Sequence, residues 1–328
     1  MSTLDLSISE DNGHQRNDDS LLNDKSTIAC IVINVILIFT MLLIIILFFS
    51  LFSAKSQNEN KRPYLCINSK SETNKDCFGG WFYKGYDKST SPAKNAQWAS
   101  DHNWNYVLFS TDITTDERKQ QTLENIREFK KKKISFHIMC LEDTIFIEKH
   151  DSALKSIDAL LDFFEKNNEF PDGIHIDVEP HALYHVGTPE FNECFQKWLD
   201  LLTKIRARLN KYPDLLFSAA VAYWYGVKTD DGNITNGHGY DMVNDKRLHS
   251  MMPMIYDGAG GTADKVYNRA KYYLQDRSNI VIGLDPKEYE SVEQMRKVAQ
   301  EVSERFAKNG TETSKHLWGF SIFSNTRY

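Results

Sequence analysis

Asp172-Gly173-Ile174-His175-Ile176-Asp177-Val178-Glu179 alternates ionisable with branched apolar side chains. Side chains point to opposite faces of a strand in turn, so His175, Asp177 and Glu179 share one face and Ile174, Ile176 and Val178 the other. Three ionisable groups on one side of a core strand are costly unless they are paired or put to use. Two carboxyls that close do not ionise independently. Repulsion and burial raise one pKa and keep a proton available at neutral pH. A carboxyl in that state can protonate a leaving-group oxygen. Pro180 follows Glu179 and holds it in an extended conformation.

Such a strand needs a frame. Short apolar runs alternate with longer amphipathic ones from Cys77 to Tyr328. Candidate strands are Phe78–Tyr83, Tyr106–Ser110, Ile134–Cys140, Gly173–Val178, Leu216–Ala222, Met251–Tyr256, Ile280–Leu284 and Gly319–Phe323. Candidate helices lie between them: Ala93–His102, Asp116–Lys132, Ser152–Asn167, Pro189–Leu209, Ala263–Leu274 and Ser291–Ala307. Leu154, Ile157, Leu160, Leu161 and Phe164 recur at helical spacing, and Asp116–Lys132 runs from acidic to basic as helix ends prefer. Strands alternating with helices imply a parallel sheet. Eight of them in about 250 residues predict an α/β chain closed as a (β/α)8 TIM barrel. An open doubly wound sheet is the structural alternative, but the first strand is not followed by a Gly-rich phosphate loop. There is no internal repeat. In a barrel the functional groups gather at the C-terminal strand ends. That places Glu179 at the rim, Asp177 one pleat deeper and His175 deeper still.

The strand resembles the Asp-Gly-x-Asp-x-Asp-x-Glu signature of family-18 glycoside hydrolases, the chitinases and endo-N-acetylglucosaminidases. Asp172, Gly173, Asp177 and Glu179 match it, and His175 stands where that family has its middle Asp. On the sixth strand, Met254-Ile255-Tyr256-Asp257 resembles the family's Met-x-Tyr-Asp. On the eighth, Gly319-Phe320-Ser321-Ile322-Phe323 resembles the strand that ends in Trp, with Phe323 at the Trp position. The resemblance implies Glu179 as general acid and then base. Asp177 would hold the substrate acetamido group, Tyr256 would bond its carbonyl, and Asp257 would bind sugar hydroxyls. Apart from the resemblance, His175 reads as a group standing behind the pair, and Asp172, which precedes the inward parity, as a cap or anchor of the loop before the strand. The resemblance further implies a carbohydrate substrate, with no metal and no organic cofactor. Trp81, Trp224 and Phe323 are further candidates for stacking on sugar rings, with Tyr223 and His137 at strand ends beside them.

Two other functions share the barrel. A conventional retaining glycosidase would take its nucleophile from Asp285, Glu288 or Glu290, after the seventh strand. A sugar-binding protein without catalysis would keep the aromatic groups and dispense with the acid.

Ile28 to Phe52 carries no charge across 25 residues and is preceded by a polar tail of 27. That length is expected to span a bilayer core of roughly 30 Å. The reading is therefore residues 1–27 as tail, 28–52 as a single transmembrane helix in contact with membrane lipid, 53–76 as stalk and 77–328 as the barrel. Lys and Arg counts on the two flanks slightly favour a cytosolic barrel. The acceptor patterns Asn233-Ile234-Thr235 and Asn309-Gly310-Thr311, with Cys66 and Cys77 near each other in sequence, favour an extracellular or lumenal one, and this is the expectation taken.

The formal net charge of −6 argues against nucleic acid as a partner. The basic run Lys130–Lys133 sits at a helix end, where cations suit the dipole. Five cysteines show no zinc spacing. A Cys66–Cys77 bridge would constrain a short loop.

Overall fold

The computed structural model describes residues 25–58, 65–66, 77–83, 90–226, 247–256, 261–275, 279–310 and 314–328. Contacts divide the chain into residues 1–61 and 62–328. The second unit is a closed barrel of eight parallel strands in sequence order: β1 (Cys77–Phe82), β2 (Tyr106–Ser110), β3 (Ser135–Cys140), β4 (Gly173–Ile176), β5 (Leu216–Ala222), β6 (Ser250–Met254), β7 (Ile280–Leu284) and β8 (Leu317–Ile322). The ring closes where β8 pairs with β1, with Gly80 opposite Ile322.

Local chemistry explains the helix starts. Ser91, Thr115, Thr188 and Ser291 each accept a hydrogen bond from the backbone N–H three residues on, and Pro92 and Pro189 open their helices. A short helix at Ile145–Glu148, not foreseen from periodicity, precedes His150–Asn167. Its single turn is too short to carry a pattern.

Apolar side chains fall into two layers. One lies between strands and helices, where Ile174, Ile176 and Val178 meet Phe191, Phe195 and Trp198. The other fills the barrel and includes Trp81, Tyr106, Met139, Leu216, Met252, Val281 and Trp318. Leu65 belongs to this inner layer and is fully buried. Its carbonyl oxygen accepts a hydrogen bond from His137 Nε2 at 2.8 Å. Cys66 is bonded to Cys77, so the segment expected as stalk includes residues packed into the barrel.

Glycine at 173 is a packing requirement. A Cβ there would lie 2.2 Å from His137 Nδ1 and 2.7 Å from the Leu216 carbonyl oxygen. Only Gly lets β4 come this close to both neighbours. Asp172 adds a second tie, accepting the Phe136 N–H at 2.8 Å.

Among the described residues the first unit contains one helix, Lys25–Asn58. Among the described residues no helix is long and apolar enough to cross a membrane. The expectations of a single-pass anchor, of membrane lipid as partner and of an outside or lumenal barrel tied to that anchor are corrected accordingly. Asn233-Ile234-Thr235 lies outside the described residues, as does Thr311. The Asn309 side-chain amide donates to the Tyr267 hydroxyl.

Candidate active site

The β4 ladder ends at Ile176, two residues earlier than the alternation predicts. Asp177 still bonds sideways, its N–H donating to the Leu141 carbonyl at 3.3 Å. Val178 stays buried on the outer face. The inward alternation therefore continues past the ladder and delivers Asp177 and Glu179 to the rim. A single 3-10 turn at Pro180–Ala182 then redirects the chain, closed by the Ala182 N–H on the Glu179 carbonyl at 3.0 Å.

A cleft of ≈ 390 Å³ opens there. Asp177, Glu179 and His181 line it from β4 and its turn, and Ala222, Tyr223 and Trp224 from β5. Met254 and Tyr256 face them from β6, with Tyr83 from β1 and Phe323 from β8. The Tyr256 and Phe323 rings stack with centroids 5.4 Å apart and an interplanar angle of 20°. Tyr83 meets Phe323 edge-on at 6.1 Å. The Arg327 guanidinium lies over the Phe323 ring, 4.6 Å from its centroid. Arg269 donates to the Tyr256 carbonyl at 2.7 Å and sits over the Tyr223 ring at 3.9 Å. The result is an aromatic-walled pocket with two carboxyls on one side.

The electrostatics separate the groups. Burial raises the Asp177 pKa to about 7, with repulsion from Glu179 and then Glu142 adding to it. This carboxyl therefore holds its proton far more readily than an ordinary aspartate. Burial first, then the nearby Asp177 and Glu179 charges, push the Tyr256 phenol far above its ordinary range. Tyr83 is raised by burial, Asp177, Glu142 and Glu179 in that order. Both phenols are therefore hydrogen-bond donors at any working pH. Beneath Asp177, His175 is fully buried and its Nδ1 lies 2.9 Å from Ser218 Oγ. Burial and the neighbouring His137 lower its pKa to about 3, so the imidazole is neutral.

Glu179, Asp177, Tyr256, Phe323 and Trp224, all expected from sequence, meet in this one cleft. Two expectations change, for Trp81 and His137. Trp81 is fully buried one layer below the rim, edge-on to His175 and to Phe323 at 5.9 Å each, and so supports the floor without reaching a ligand. Asp172, expected as a loop anchor, ties β3 to β4 at the opposite end of the strand. His137 is likewise buried at that lower end. Asp257 lies outside the described residues.

Tyr83, His181 and Glu142 were not foreseen. Trp81 and Tyr83 have the same inward parity on the first strand, and the later of the two reaches the rim. Glu142 follows β3 on the same barrel face, where it accepts from Ser110 Oγ at 2.7 Å, and burial raises its pKa. A carboxylate just past a strand end was the available signal for it. Asp285, the candidate nucleophile of a retaining scheme, pairs with Arg327 and accepts the Lys287 N–H at 3.0 Å. Among the described residues no group of His, Cys, Asp and Glu is arranged to hold a metal.

No protein-family profile and no curated protein matches the sequence. Solved structures do match. A GH18 chitinase from Pseudoalteromonas aurantia superposes with a TM-score of 0.54 at 16% identity, covering 76% of this chain and 94% of its own. A GH18 chitinase from Cycas revoluta, solved in complex with (GlcNAc)3, gives 0.50 at 10% identity over 76% and 95%. A GH5-4 broad-specificity endoglucanase from Clostridium acetobutylicum gives 0.51 at 11% over 75% and 86%. At these identities the likeness is one of fold, a (β/α)8 barrel that the GH18 chitinases and the GH5-4 endoglucanase share.

Proposed function

We propose that this protein is a glycoside hydrolase acting on N-acetylhexosamine-containing glycans, with Glu179 as acid and then base and Asp177 assisting. One observation carries the reading: two carboxyls from successive inward positions of one strand end share an aromatic cleft, and their surroundings keep Asp177 protonated up to about pH 7.

In the route implied by the family-18 resemblance, the substrate's own acetamido oxygen attacks the anomeric carbon. Glu179 gives its proton to the departing glycosidic oxygen as that bond breaks. Asp177 holds the acetamido N–H, and the Tyr256 hydroxyl donates to the acetamido oxygen. Glu179, now a carboxylate, takes a proton from water as the water opens the ring formed on the acetamido group. Configuration at the anomeric carbon is retained. The Tyr256–Phe323 stack offers apolar faces to sugar C–H groups.

A retaining scheme needs a second carboxylate facing Glu179. Asp285 is already engaged by Arg327, and no strand-7 side chain lines the cleft among the described residues. The substrate-assisted route is therefore preferred.

The test incubates the full chain with a glycan library that includes chromogenic chitooligosaccharides, with products read by mass spectrometry. Hydrolysis by the wild type, lost in Glu179→Gln, is the expected result. Binding of a glycan with no product from any member would overturn it in favour of a sugar-binding protein.

A further inference from the structure

We infer that His181 is a positioning residue that steadies the Glu179 carboxylate once its proton has left, and that Tyr225 fixes the imidazole for this task. The inference deepens the hydrolase reading and rests on it for its chemistry.

The geometry is a short chain of three groups. The Tyr225 hydroxyl lies 3.0 Å from His181 Nδ1, and His181 Nε2 lies 3.8 Å from Glu179 Oε1. Tyr225 sits on the 3-10 turn Tyr223–Gly226 that follows β5. It is buried between rings, with Trp224 at 4.7 Å, Phe195 at 5.1 Å and Trp198 at 5.9 Å. Burial keeps this phenol protonated far above its ordinary range. A phenol held protonated has its O–H to donate to Nδ1.

An imidazole that accepts at Nδ1 carries its proton at Nε2. That N–H then faces Glu179. The ring cannot turn away easily, since Trp224 meets it edge-on at 5.4 Å and the Pro180–Ala182 turn fixes its backbone. A gap of 3.8 Å is too long for a hydrogen bond but close enough for the dipole of the Nε2–H to favour a negative carboxylate. The contact gains strength when Glu179 becomes negative, which is the moment after proton donation. Groups facing the imidazole are Glu179 from the β4 end and Tyr225 with Trp224 from the β5 turn. The helix Pro189–Leu209 packs Phe195 and Trp198 against Tyr225.

The test compares full-length wild type, His181→Gln and Tyr225→Phe. The Glu179 carboxyl is followed by carbon NMR across pH, its signal assigned with Glu179→Gln, and glycan turnover is measured on the same samples. His181→Gln is expected to raise the Glu179 midpoint by about one unit, with a smaller rise in Tyr225→Phe. The kcat is expected to fall about tenfold with KM within twofold, and the pH profile to move with the midpoint. An unmoved midpoint in both variants overturns the inference whatever the activity. Loss of kcat with an unchanged pH profile also overturns it, since a merely structural role would give that. If His181→Gln fails to fold, Tyr225→Phe, which removes one hydroxyl, decides alone. A shifted midpoint in a wild type that cleaves no glycan upholds the contact and defeats the hydrolase reading instead.

Discussion

Tyr256 and Phe323 lie face to face at 5.4 Å across the cleft floor, although they come from strands separated by β7. The stack joins the proposed acetamido-binding phenol to the proposed sugar platform, so the two functions are mechanically coupled.

Phe323→Ala removes both the platform and the support for Tyr256. An aromatic pair is worth about 0.5–1.5 kcal/mol beyond its buried area. On the hydrolase reading, KM for the preferred glycan should rise about tenfold, with a smaller loss in kcat from the loosened Tyr256. Phe323→Trp should lower KM. Steady-state kinetics on both variants check this, and equal KM values across all three proteins would show that no sugar ring rests on this side chain.

The Cys66–Cys77 bridge makes a different prediction. It closes a loop with a sequence separation of 11, for which chain entropy gives about 3 kcal/mol. It also holds Leu65 inside the lower barrel. Cys66→Ser with Cys77→Ser should therefore lower unfolding free energy by about 3 kcal/mol, and Leu65→Ala by about 2–4 kcal/mol from the cavity left. Denaturant unfolding measures both. A Leu65→Ala loss within error of zero would mean that the segment does not fill the barrel in solution.

The barrel was legible because each strand is a short apolar run set between amphipathic helices, and the strand parity at Ile174, Ile176 and Val178 identified which face meets the helices. The same parity predicted that Asp177 and Glu179 face inward. It could not rank inward residues by depth, so Trp81 was expected at the rim and Tyr83 was missed, although both share one face of β1. His181 was hidden for another reason. Its place depends on a single turn after Pro180 folding against Tyr225, 44 residues away in the chain. Periodicity holds no record of such a contact. The apolar run of Ile28 to Phe52 was visible as composition, but composition alone did not fix what the helix does.

Buried neutral histidines predict acid lability. His175 and His249 each have a pKa lowered to about 3, chiefly by burial, whereas an unfolded chain protonates histidine near 6.5. Between those values the unfolded state binds more protons, so stability falls as pH drops from 6.5 towards about 3. Each group contributes at most a few kcal/mol. His249→Gln should flatten part of this slope, as read by thermal midpoints at a series of pH values. An unchanged slope would mean that the imidazole charges without cost.

Asp177 works in the opposite direction. Its folded pKa is raised to about 7 by burial, Glu179 and Glu142, against about 3.9 in an unfolded chain. Below about pH 4 both states are protonated and the group contributes nothing to the slope. Between about 4 and 7 the unfolded chain ionises and the folded one does not, so the folded state binds more protons and wild-type stability falls as pH rises. Above 7 both are ionised and the penalty is complete. Full burial would set it near 4 kcal/mol, and partial exposure at the cleft reduces it to about 1–3 kcal/mol. Asp177→Asn has no such titration, and the histidines contribute equally to both proteins. The stability of the variant relative to wild type should therefore increase by about 1–3 kcal/mol from pH 4 to pH 8, while glycan turnover falls at least a hundredfold. Urea unfolding at the two pH values tests this directly. A difference that stays flat would mean that Asp177 ionises normally, and the proton reserve on which the proposed chemistry depends would be gone.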